Sequence, residues 1–475
     1  MTKVQLIHPG NDVKYKHLKT GYSSYPPPSG LEIIASYVER CIPKIRFEIF
    51  DGNVTSHNEI LQRLDADVVG ITDWFTSHSN AMEIARVAKI KNPNSKIVIG
   101  GPNASNLGER ILLNNPEVDF VAFADGERTL TQIIQNDSSA EIRNVWFRGS
   151  DRKIHFSSGP DININDLGLF DFEHLYETDM RKYDSKEKSY FDEIDMTPIP
   201  ISSIRGCIKA VKYGSCTYCT IPMTNGVRVM QPNLVWRQIR HLYEKYGIRK
   251  FFETGDSFTI GNYPEKLLEA KPKDLDVSFR IYANPDTISL KNISILKSLG
   301  VQEIFIGIET VDKDILQLAN KNYDTSSIEK TVQLLEEYQI RVFLPFLFGL
   351  PGETYNSVNG NYDFAQYLIS KYSNIDRLLI SLAIPLIGSK WFDTLLKDDD
   401  IVTCYNEGGL RSLATDDNIE YERLFLLSLH KYCHLSFGDI YTILQKPLSQ
   451  NLKGRIGGFG CLEKYVVELE NEILV

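Results

Sequence analysis

Short apolar runs alternate with amphipathic stretches along the first 145 residues of the chain. The apolar runs are typical of buried strands, and the stretches between them repeat apolar positions every three or four residues, as helices do. Each predicted strand ends in small or polar residues, where open α/β sheets bind ligands. We therefore expect a parallel sheet with crossover helices, whose strands are predicted at residues 4–7, 46–50, 68–72, 96–99 and 120–123.

A second alternating region begins near residue 196 and has longer units, whereas residues 146–195 show little period and are predicted to be a linker. Six strands separated by helices fit a partial barrel of β/α units. They are predicted at residues 201–204, 250–253, 277–282, 303–308, 341–348 and 377–384. The predicted fold class is α/β. A Rossmann-like domain covers 1–145, the linker 146–195, a partial (β/α)6 TIM-type barrel 196–395, and a small, mostly helical region 396–475.

Composition and charge narrow the function classes. The 475 residues carry a net charge of −10, which gives no general attraction to phosphate backbones and does not favour a nucleic-acid substrate. No apolar run reaches the about 18 residues that a membrane span needs. The first ten residues lack the charged-then-apolar pattern of a secretory signal and resemble a first strand. We therefore expect a cytoplasmic protein with no membrane span.

The seven cysteines are unevenly placed, because Cys207, Cys216 and Cys219 fall within thirteen residues. In a reducing compartment such a group indicates a metal or catalytic site rather than disulfides. Three thiolates on an iron–sulfur cubane would leave one iron without a protein ligand. Zinc normally takes a fourth Cys or His, and none follows Cys219 at short spacing. The spacing alone leaves three possibilities open: a cluster, a zinc site or unrelated thiols.

Four further motifs follow the cysteines in order, each at a predicted strand end. They are FETGDSFT at 252–259, GIET at 307–310, FGLPGET at 348–354 and IPLIGS at 384–389. Together with the cysteines, they resemble the radical S-adenosylmethionine (SAM) enzymes over about residues 196–395. Two features depart from that family's pattern. Eight residues rather than three separate Cys207 from Cys216, and Asn284 stands where relatives often carry Arg, so Arg280 is predicted to substitute.

The resemblance implies a 4Fe-4S cluster on the three cysteines and a SAM site beside it. The insertion between Cys207 and Cys216 is predicted to bulge the loop without moving the ligands. The residues implied to contact SAM are Glu253, Asp256, Arg280, Glu309, Gly349 and Pro385.

The N-terminal strand ends resemble the cobalamin-binding domain that precedes many radical SAM barrels. Glycines at strand ends let the backbone approach a large ring. Asn53 stands where other cobalamin proteins carry a cobalt-ligating histidine, which leaves a Rossmann domain without cobalamin as an alternative. The residues implied to contact cobalamin are Thr72, Ser77, Gly101, Pro102, Asn103, Asp125, Gly126 and Glu127.

The resemblance implies a cobalamin-dependent radical C-methyltransferase. It would cleave SAM reductively and methylate an unactivated carbon of a small-molecule or peptide substrate, with electrons from a flavodoxin or ferredoxin. One alternative keeps the same radical generator but catalyses rearrangement, cyclisation or oxidation, with or without cobalamin. A second is a non-catalytic iron–sulfur or zinc protein. The catalytic residues beyond the cofactor ligands and the identity of the substrate are not predicted.

Overall fold

The structure is a computed structural model. It describes residues 1–12, 26–135, 141–178, 180–183, 198–221, 226–321, 323–408, 411–433, 435–444 and 456–457.

Strands and helices alternate through most of the described chain. The strands are β1 Thr2–His8, β2 Ile45–Asp51, β3 Val68–Thr72, β4 Lys96–Gly100, β5 Phe120–Ala122, β6 Val145–Arg148, β7 Ile154–Ser157, β8 Ile199–Ile201, β9 Ile204–Arg205, β10 Arg228–Val229, β11 Lys250–Glu253, β12 Ser278–Ala283, β13 Val301–Ile306, β14 Arg341–Phe348, β15 Ile375–Leu382 and β16 Ile456–Gly457. The helices are α1 Ser29–Cys41, α2 His57–Arg63, α3 His78–Lys91, α4 Pro102–Leu107, α5 Glu109–Asn114, α6 Gly126–Gln135, α7 Ile208–Tyr213, α8 Pro232–Tyr246, α9 Tyr263–Glu269, α10 Ile293–Leu299, α11 Lys313–Leu318, α12 Ser326–Glu337, α13 Tyr355–Lys371, α14 Lys390–Leu396, α15 Asp399–Gly408, α16 Tyr421–Tyr432 and α17 Phe437–Leu444.

The first sheet has the strand order β2-β1-β3-β4-β5-β6-β7. Its first five strands pair in parallel, as predicted from the alternating pattern. Their apolar side chains are buried under helices on both faces; Val4, Ile49 and Ile99 are fully buried. The parallel strands therefore end at one edge of the sheet, where His8 stands opposite Asp51.

The predicted linker is not only a connection. Its first part contributes the antiparallel hairpin β6–β7, and β6 pairs antiparallel with β5 at the edge of the first sheet. Trp146 packs at a ring distance of 4.4 Å from Phe156 across this hairpin. The sequence pattern did not predict this hairpin, because two strands of four residues give too short an alternation of apolar and polar positions. The boundaries at 145 and 195 remain predictions.

The second sheet is the barrel, with the order β16-β15-β14-β13-β12-β11-β8. Five of the six predicted strands are present where expected, and all six barrel strands pair in parallel. The first was predicted at 201–204 but is β8 at Ile199–Ile201; Ile204 begins β9, which pairs antiparallel with β10 outside the barrel. A seventh strand, the two-residue β16, pairs with β15 and comes from the C-terminal region that we expected to be mostly helical. Among the described residues of that region, α15, α16 and α17 are helical; most residues after 444 lie outside the described chain.

Buried ion pairs join the two sheets and the C-terminal region. Arg205 of β9 donates to Asp125, just ahead of α6, and to Glu127 within α6. His78 of α3 contacts Asp73 at 3.0 Å and Asp417, ahead of α16, at 3.2 Å. These contacts bring the carboxyl-end edge of the first sheet against the mouth of the barrel. No helix in the described residues is both long and apolar enough to cross a membrane.

Candidate functional site

The three clustered cysteines line one cavity. Cys207 is the N-cap residue of α7, and Cys216 and Cys219 follow that helix in a turn closed by a 3.1 Å hydrogen bond from the Cys219 N–H to the Cys216 carbonyl. All three side chains are half-buried, and they line a cavity of about 400 Å³ at the barrel mouth. The eight residues between Cys207 and Cys216 include α7 and leave all three thiols on the same cavity.

Hydrogen bonds to the next barrel unit hold the cluster loop in place. The Thr217 N–H donates to the Ala319 carbonyl at 3.0 Å, and the Asn320 amide donates to the Ser215 carbonyl at 2.9 Å. Asn320 itself has a positive φ of 50°. The turn that ends α11 therefore fixes the segment between α7 and Cys216.

The donor set fits an iron–sulfur cubane. Burial raises the pKa of Cys219 to about 11, and the nearby Cys216 adds to the shift. A bound cation is therefore needed to hold this sulfur as a thiolate. A cubane spreads its thiolates over separate irons, and three thiols line this one cavity. Zinc normally takes a fourth Cys or His, and the described residues that line the cavity include no other cysteine or histidine.

The same cavity carries charges of both signs. Two of the predicted SAM contacts line it: Asp256, which follows β11, and Glu309, which follows β13. Lys321, which the sequence analysis missed, also lines the cavity and forms an ion pair with Glu309. Glu309 has a positive φ of 65°, a conformation that is costly for a residue with a β-carbon and is often found at functional sites.

Two other predicted SAM contacts do not line this cavity because they are bound elsewhere. Glu253 is buried and accepts hydrogen bonds from the backbone N–H groups of Ser203 and Gly255, and burial raises its pKa to about 7. Arg280 points into the barrel interior, where it pairs with Glu303 at 2.6 Å. Arg280 therefore does not replace an arginine at Asn284, since Asn284 lines the cavity and Arg280 does not.

Gly349 and Pro385 also lie outside the residues that line the cavity. Gly349 has a φ of 91°, and a β-carbon there would clash with the Phe425 ring. Its N–H donates to Glu353, a fully buried carboxyl whose pKa burial raises to about 8. The GLPGET motif is therefore a closed turn against α16 and not a direct wall of the cavity.

A second cavity of about 490 Å³ lies at the carboxyl-end edge of the first sheet. Five predicted cobalamin contacts line it: Thr72, Gly101, Asp125, Gly126 and Glu127. Gly101 has a φ of 99°, and a β-carbon there would stand 2.9 Å from the Asp73 carbonyl oxygen, so only glycine fits this strand end. Barrel residues Pro200 and Arg205 close the other side.

Three predicted cobalamin contacts are not among the residues that line this cavity: Ser77, Pro102 and Asn103. The Ser77 hydroxyl bonds the backbone of Trp74. The Asn103 amide donates to Asp73 at 2.9 Å. These side chains support the strand end from behind, and Pro102 begins α4.

The two acidic lining residues are neutralised by barrel arginines. Asp125 is bound by Arg205 at 2.7 Å and by Arg228, and Glu127 is bound by Arg205 at 2.6 Å. Burial opposes ionisation of Asp125, but the two arginines lower its pKa below the ordinary value. These carboxylates therefore join the domains as well as lining the cavity. The arginines lie between 78 and 103 residues away in sequence, so no local pattern could reveal them.

The loop after β2 lines this cavity through Asn53, the residue that stands where other cobalamin proteins carry a cobalt-ligating histidine. The Asn53 amide donates to Asp51 at 3.0 Å and supplies no imidazole. An imidazole comes instead from His8 at the end of β1, which lines the cavity with its Nδ1 3.5 Å from Asp51. The sequence analysis missed His8, because strand-end position alone did not distinguish it.

Sequence profiles of two domain families match this chain. Residues 18–134 match the B12 binding domain, and residues 201–365 match the Radical SAM superfamily. The protein is a radical SAM enzyme with an N-terminal cobalamin-binding domain. Enzymes with this pair of domains use a 4Fe-4S cluster, SAM and cobalamin. The family and fold predictions are thereby confirmed.

Two relatives and one solved structure are similar to this radical SAM enzyme over most of its chain. An uncharacterized methyltransferase of Pyrococcus horikoshii is 23% identical over 392 residues, which is 79% of this chain and 80% of the relative. An anaerobic magnesium-protoporphyrin IX monomethyl ester cyclase of Cereibacter sphaeroides is 23% identical over 65% of this chain and 50% of the relative. The structure of the radical SAM methyltransferase TsrM from Kitasatospora setae, with cobalamin and a 4Fe-4S cluster bound, superposes with a TM-score of 0.65 at 15% identity. It covers 99% of this chain and 95% of that one.

Proposed function

We propose that this radical SAM enzyme is a cobalamin-dependent methyltransferase that acts on an unactivated carbon of a small-molecule or peptide substrate. The observation that carries the proposal is the closeness of the two cavities. Arg205 lines the B12-domain cavity, and Cys207 lines the cysteine cavity. Two residues of chain span at most about 7 Å, so the two cavities are neighbours. That arrangement suits a radical formed on one side and a methyl group delivered from the other.

When bound, the cluster supplies the electron that cleaves SAM, and methylcobalamin supplies the methyl group. In this proposal Cys207, Cys216 and Cys219 hold three irons. The charged residues of the cavity orient SAM: Asp256 accepts from the methionine ammonium, and Lys321 binds its carboxylate. Glu309 keeps Lys321 directed into the cavity through their ion pair. Charged groups of both signs in fixed positions bind a zwitterion and orient it before reaction.

The B12-domain cavity has the features that a large ring needs. Gly70, Gly100, Gly101 and Gly126 line it and contribute backbone without a side chain of their own. We propose that Thr72, Gly101 and Gly126 contact cobalamin, and that Asp125 and Glu127 act mainly through Arg205 to seat the barrel against it. Ser77, Pro102, Asn103, Glu253, Arg280, Gly349 and Pro385 are proposed as supporting residues and not as contacts.

The names of the relatives favour two different outcomes, since one is called a methyltransferase and one a cyclase. The test is to incubate anaerobically reconstituted enzyme, loaded with cobalamin, with SAM and a low-potential reductant. We expect both S-adenosylhomocysteine and 5′-deoxyadenosine. Deoxyadenosine without S-adenosylhomocysteine would reject methyl transfer and favour cyclisation or rearrangement by the same generator. Neither product would contradict both.

A further inference from the structure

The loop that carries the cysteines is held by the cobalamin-binding domain as well as by the barrel. Thr220 directly follows the last cluster cysteine, and its neighbours Cys219 and Ile221 both line the cysteine cavity. The Thr220 carbonyl accepts a hydrogen bond from the side-chain amide of Asn106 at 3.1 Å. Asn106 belongs to α4 of the N-terminal domain. One side chain of that domain therefore holds the backbone between two residues of the cysteine cavity wall.

The same side chain packs against the turn that follows the last long barrel strand. Gly388, in the IPLIGS motif, has a φ of 89°, and a β-carbon there would stand only 2.2 Å from the Asn106 Oδ1. Both its backbone conformation and the space beside it therefore require glycine. The Asn106 amide also donates to the Pro102 carbonyl of its own helix at 3.0 Å. Both amide hydrogens are thus used, which leaves the side chain little freedom to rotate.

The opposite end of α4 lies at the B12-domain cavity. Gly101, the N-cap residue of the helix, lines that cavity, and so does Ala124, which follows β5. The Ser105 hydroxyl joins these two residues, because it donates to the Gly101 carbonyl at 2.9 Å and accepts from the Ala124 N–H at 3.0 Å. The six residues of α4 rise only about 9 Å. One short helix therefore connects the wall of the B12-domain cavity to the loop that carries the cysteines.

Apolar packing joins α4 to the barrel over the same contact. Ala104 and Leu107 of α4 are buried in one hydrophobic core with Ile387, which precedes the glycine of the turn, and with Trp391 and Phe392 of α14. Close-packed interiors transmit a displacement and do not absorb it. A movement of α4 at the B12-domain cavity is therefore expected to move the turn and the cysteine loop with it.

We propose that Asn106 is a positioning residue that couples cobalamin binding to SAM binding. With cobalamin bound against Gly101, α4 is ordered, and Asn106 extends that order to the backbone at Thr220 and Gly388. SAM then binds to a loop that is already ordered and pays less conformational entropy, so its affinity rises. Linkage requires that SAM strengthen cobalamin binding by the same factor. The inference rests on the proposed function, in particular on the contact between Gly101 and cobalamin.

The test measures two dissociation constants on the full-length protein reconstituted with its cluster, without reductant, so that SAM is not consumed. The Kd for SAM is measured by isothermal titration calorimetry with and without saturating hydroxocobalamin. The Kd for hydroxocobalamin is measured by absorbance with and without SAM. For the wild type we expect the two ratios to be equal and at least about fivefold, the lower end of usual coupling between sites. Asn106→Ala should bring both ratios close to one.

Asn114→Ala is the matched control. The Asn114 amide likewise donates to a carbonyl of its own helix, at Arg110, and to one outside it, at Thr415, both at 2.9 Å. Asn114 lines neither cavity. Both alanine variants should therefore lower the Tm by similar amounts, but Asn114→Ala should keep the wild-type ratios. Asn106→Asp keeps the size of the side chain and removes the amide donor, so it should lose the coupling as Asn106→Ala does.

The outcomes separate this inference from the proposed function. Ratios in Asn106→Ala that equal the wild-type ratios would overturn the coupling, and so would wild-type ratios of one. Binding without reductant does not depend on which product the enzyme forms, so a failure of methyl transfer leaves this measurement valid. A wild-type protein that takes up no cobalamin would instead contradict the proposed function.

Discussion

The two cavities are neighbours, but their charged side chains are arranged in opposite ways. In the cysteine cavity, Asp256 is exposed and has no ion-pair partner within the described residues, so it remains available to a ligand. In the B12-domain cavity, Asp125 and Glu127 are already neutralised by barrel arginines. The first cavity is therefore suited to a zwitterion and a metal cluster. The second uses its charges to hold two domains together around a large ring.

The largest expected effect is at the cluster itself. Cys216→Ala removes one of three iron ligands, and we expect the reconstituted protein to fall from about four irons to almost none and to lose SAM cleavage completely. Far-ultraviolet circular dichroism should be unchanged. Cys404→Ala is the matched control, because Cys404 is an exposed thiol outside both cavities. A Cys216→Ala protein that keeps its iron would show that the cysteine cavity is not the metal site.

The next effect concerns the contact between the cavities. Arg205→Ala leaves Asp125 and Glu127 buried with fewer partners, and losing one member of a buried charge pair costs about 3–5 kcal/mol. We expect a lower Tm and weaker cobalamin binding in a spectroscopic titration. Arg237→Ala on the exposed side of α8 is the control. If Arg205→Ala lowered SAM affinity but left cobalamin affinity intact, the assignment of this pair to the second cavity would be wrong.

A smaller effect is expected for the cation of the first cavity. Lys321→Ala removes the proposed partner of the SAM carboxylate, and a hydrogen bond to a charged group is worth about 1.5–3 kcal/mol. We expect the Kd for SAM to rise about 10- to 100-fold, with cobalamin affinity unchanged. Glu309→Gln keeps Lys321 and should weaken SAM binding less. Isothermal titration calorimetry of the reconstituted variants measures the Kd for SAM of each. An unaltered Kd for Lys321→Ala would show that this residue is not part of the SAM site.

The smallest expected effect is a dependence of the protein's stability on pH that arises at His78. Burial opposes protonation of His78, but Asp73 and Asp417 outweigh it and raise its pKa from 6.5 to about 10. Protonated His78 therefore stabilises the fold fully below about pH 6.5, and this stabilisation is lost as the pH rises towards 10. The free energy of unfolding changes through this group by at most about 1.4 kcal/mol per pH unit. His78→Gln should flatten the dependence of Tm on pH between 7 and 9, whereas exposed His155→Gln should not. Parallel pH profiles for His78→Gln and the wild type would contradict this assignment.

Much of the fold was predictable because local patterns specify it. Five parallel strands of the first sheet and six of the barrel follow from apolar runs with polar ends, and the cysteine triad is contiguous in sequence. The motifs were harder to interpret, because position at a strand end does not say which way a side chain points. Glu253 turns inward and accepts hydrogen bonds from backbone N–H groups, and the Gly349 N–H donates to the buried Glu353 carboxyl, whereas Asp256 faces the cavity. Whether Asp256 contacts SAM stays a prediction.

Long-range contacts were not predictable from one sequence. Lys321 lies in a connection without a motif, and only the fold places it against Glu309. Arg205 meets Glu127 across 78 residues of chain. His8 lines the second cavity because β1 lies beside β2 and places His8 opposite Asp51. Such contacts depend on strand order and domain packing, and local sequence periodicity predicts neither.

The most direct measurement follows a labelled methyl group. Anaerobic, cobalamin-loaded enzyme is supplied with reductant and SAM whose methyl group carries three deuteriums, and the cobalamin and adenosyl products are analysed by mass spectrometry. The account predicts trideuteromethylcobalamin together with S-adenosylhomocysteine, and 5′-deoxyadenosine that disappears in Cys216→Ala. Cobalamin that stays unlabelled while SAM is cleaved would contradict the claim that the two cavities serve one methyl transfer.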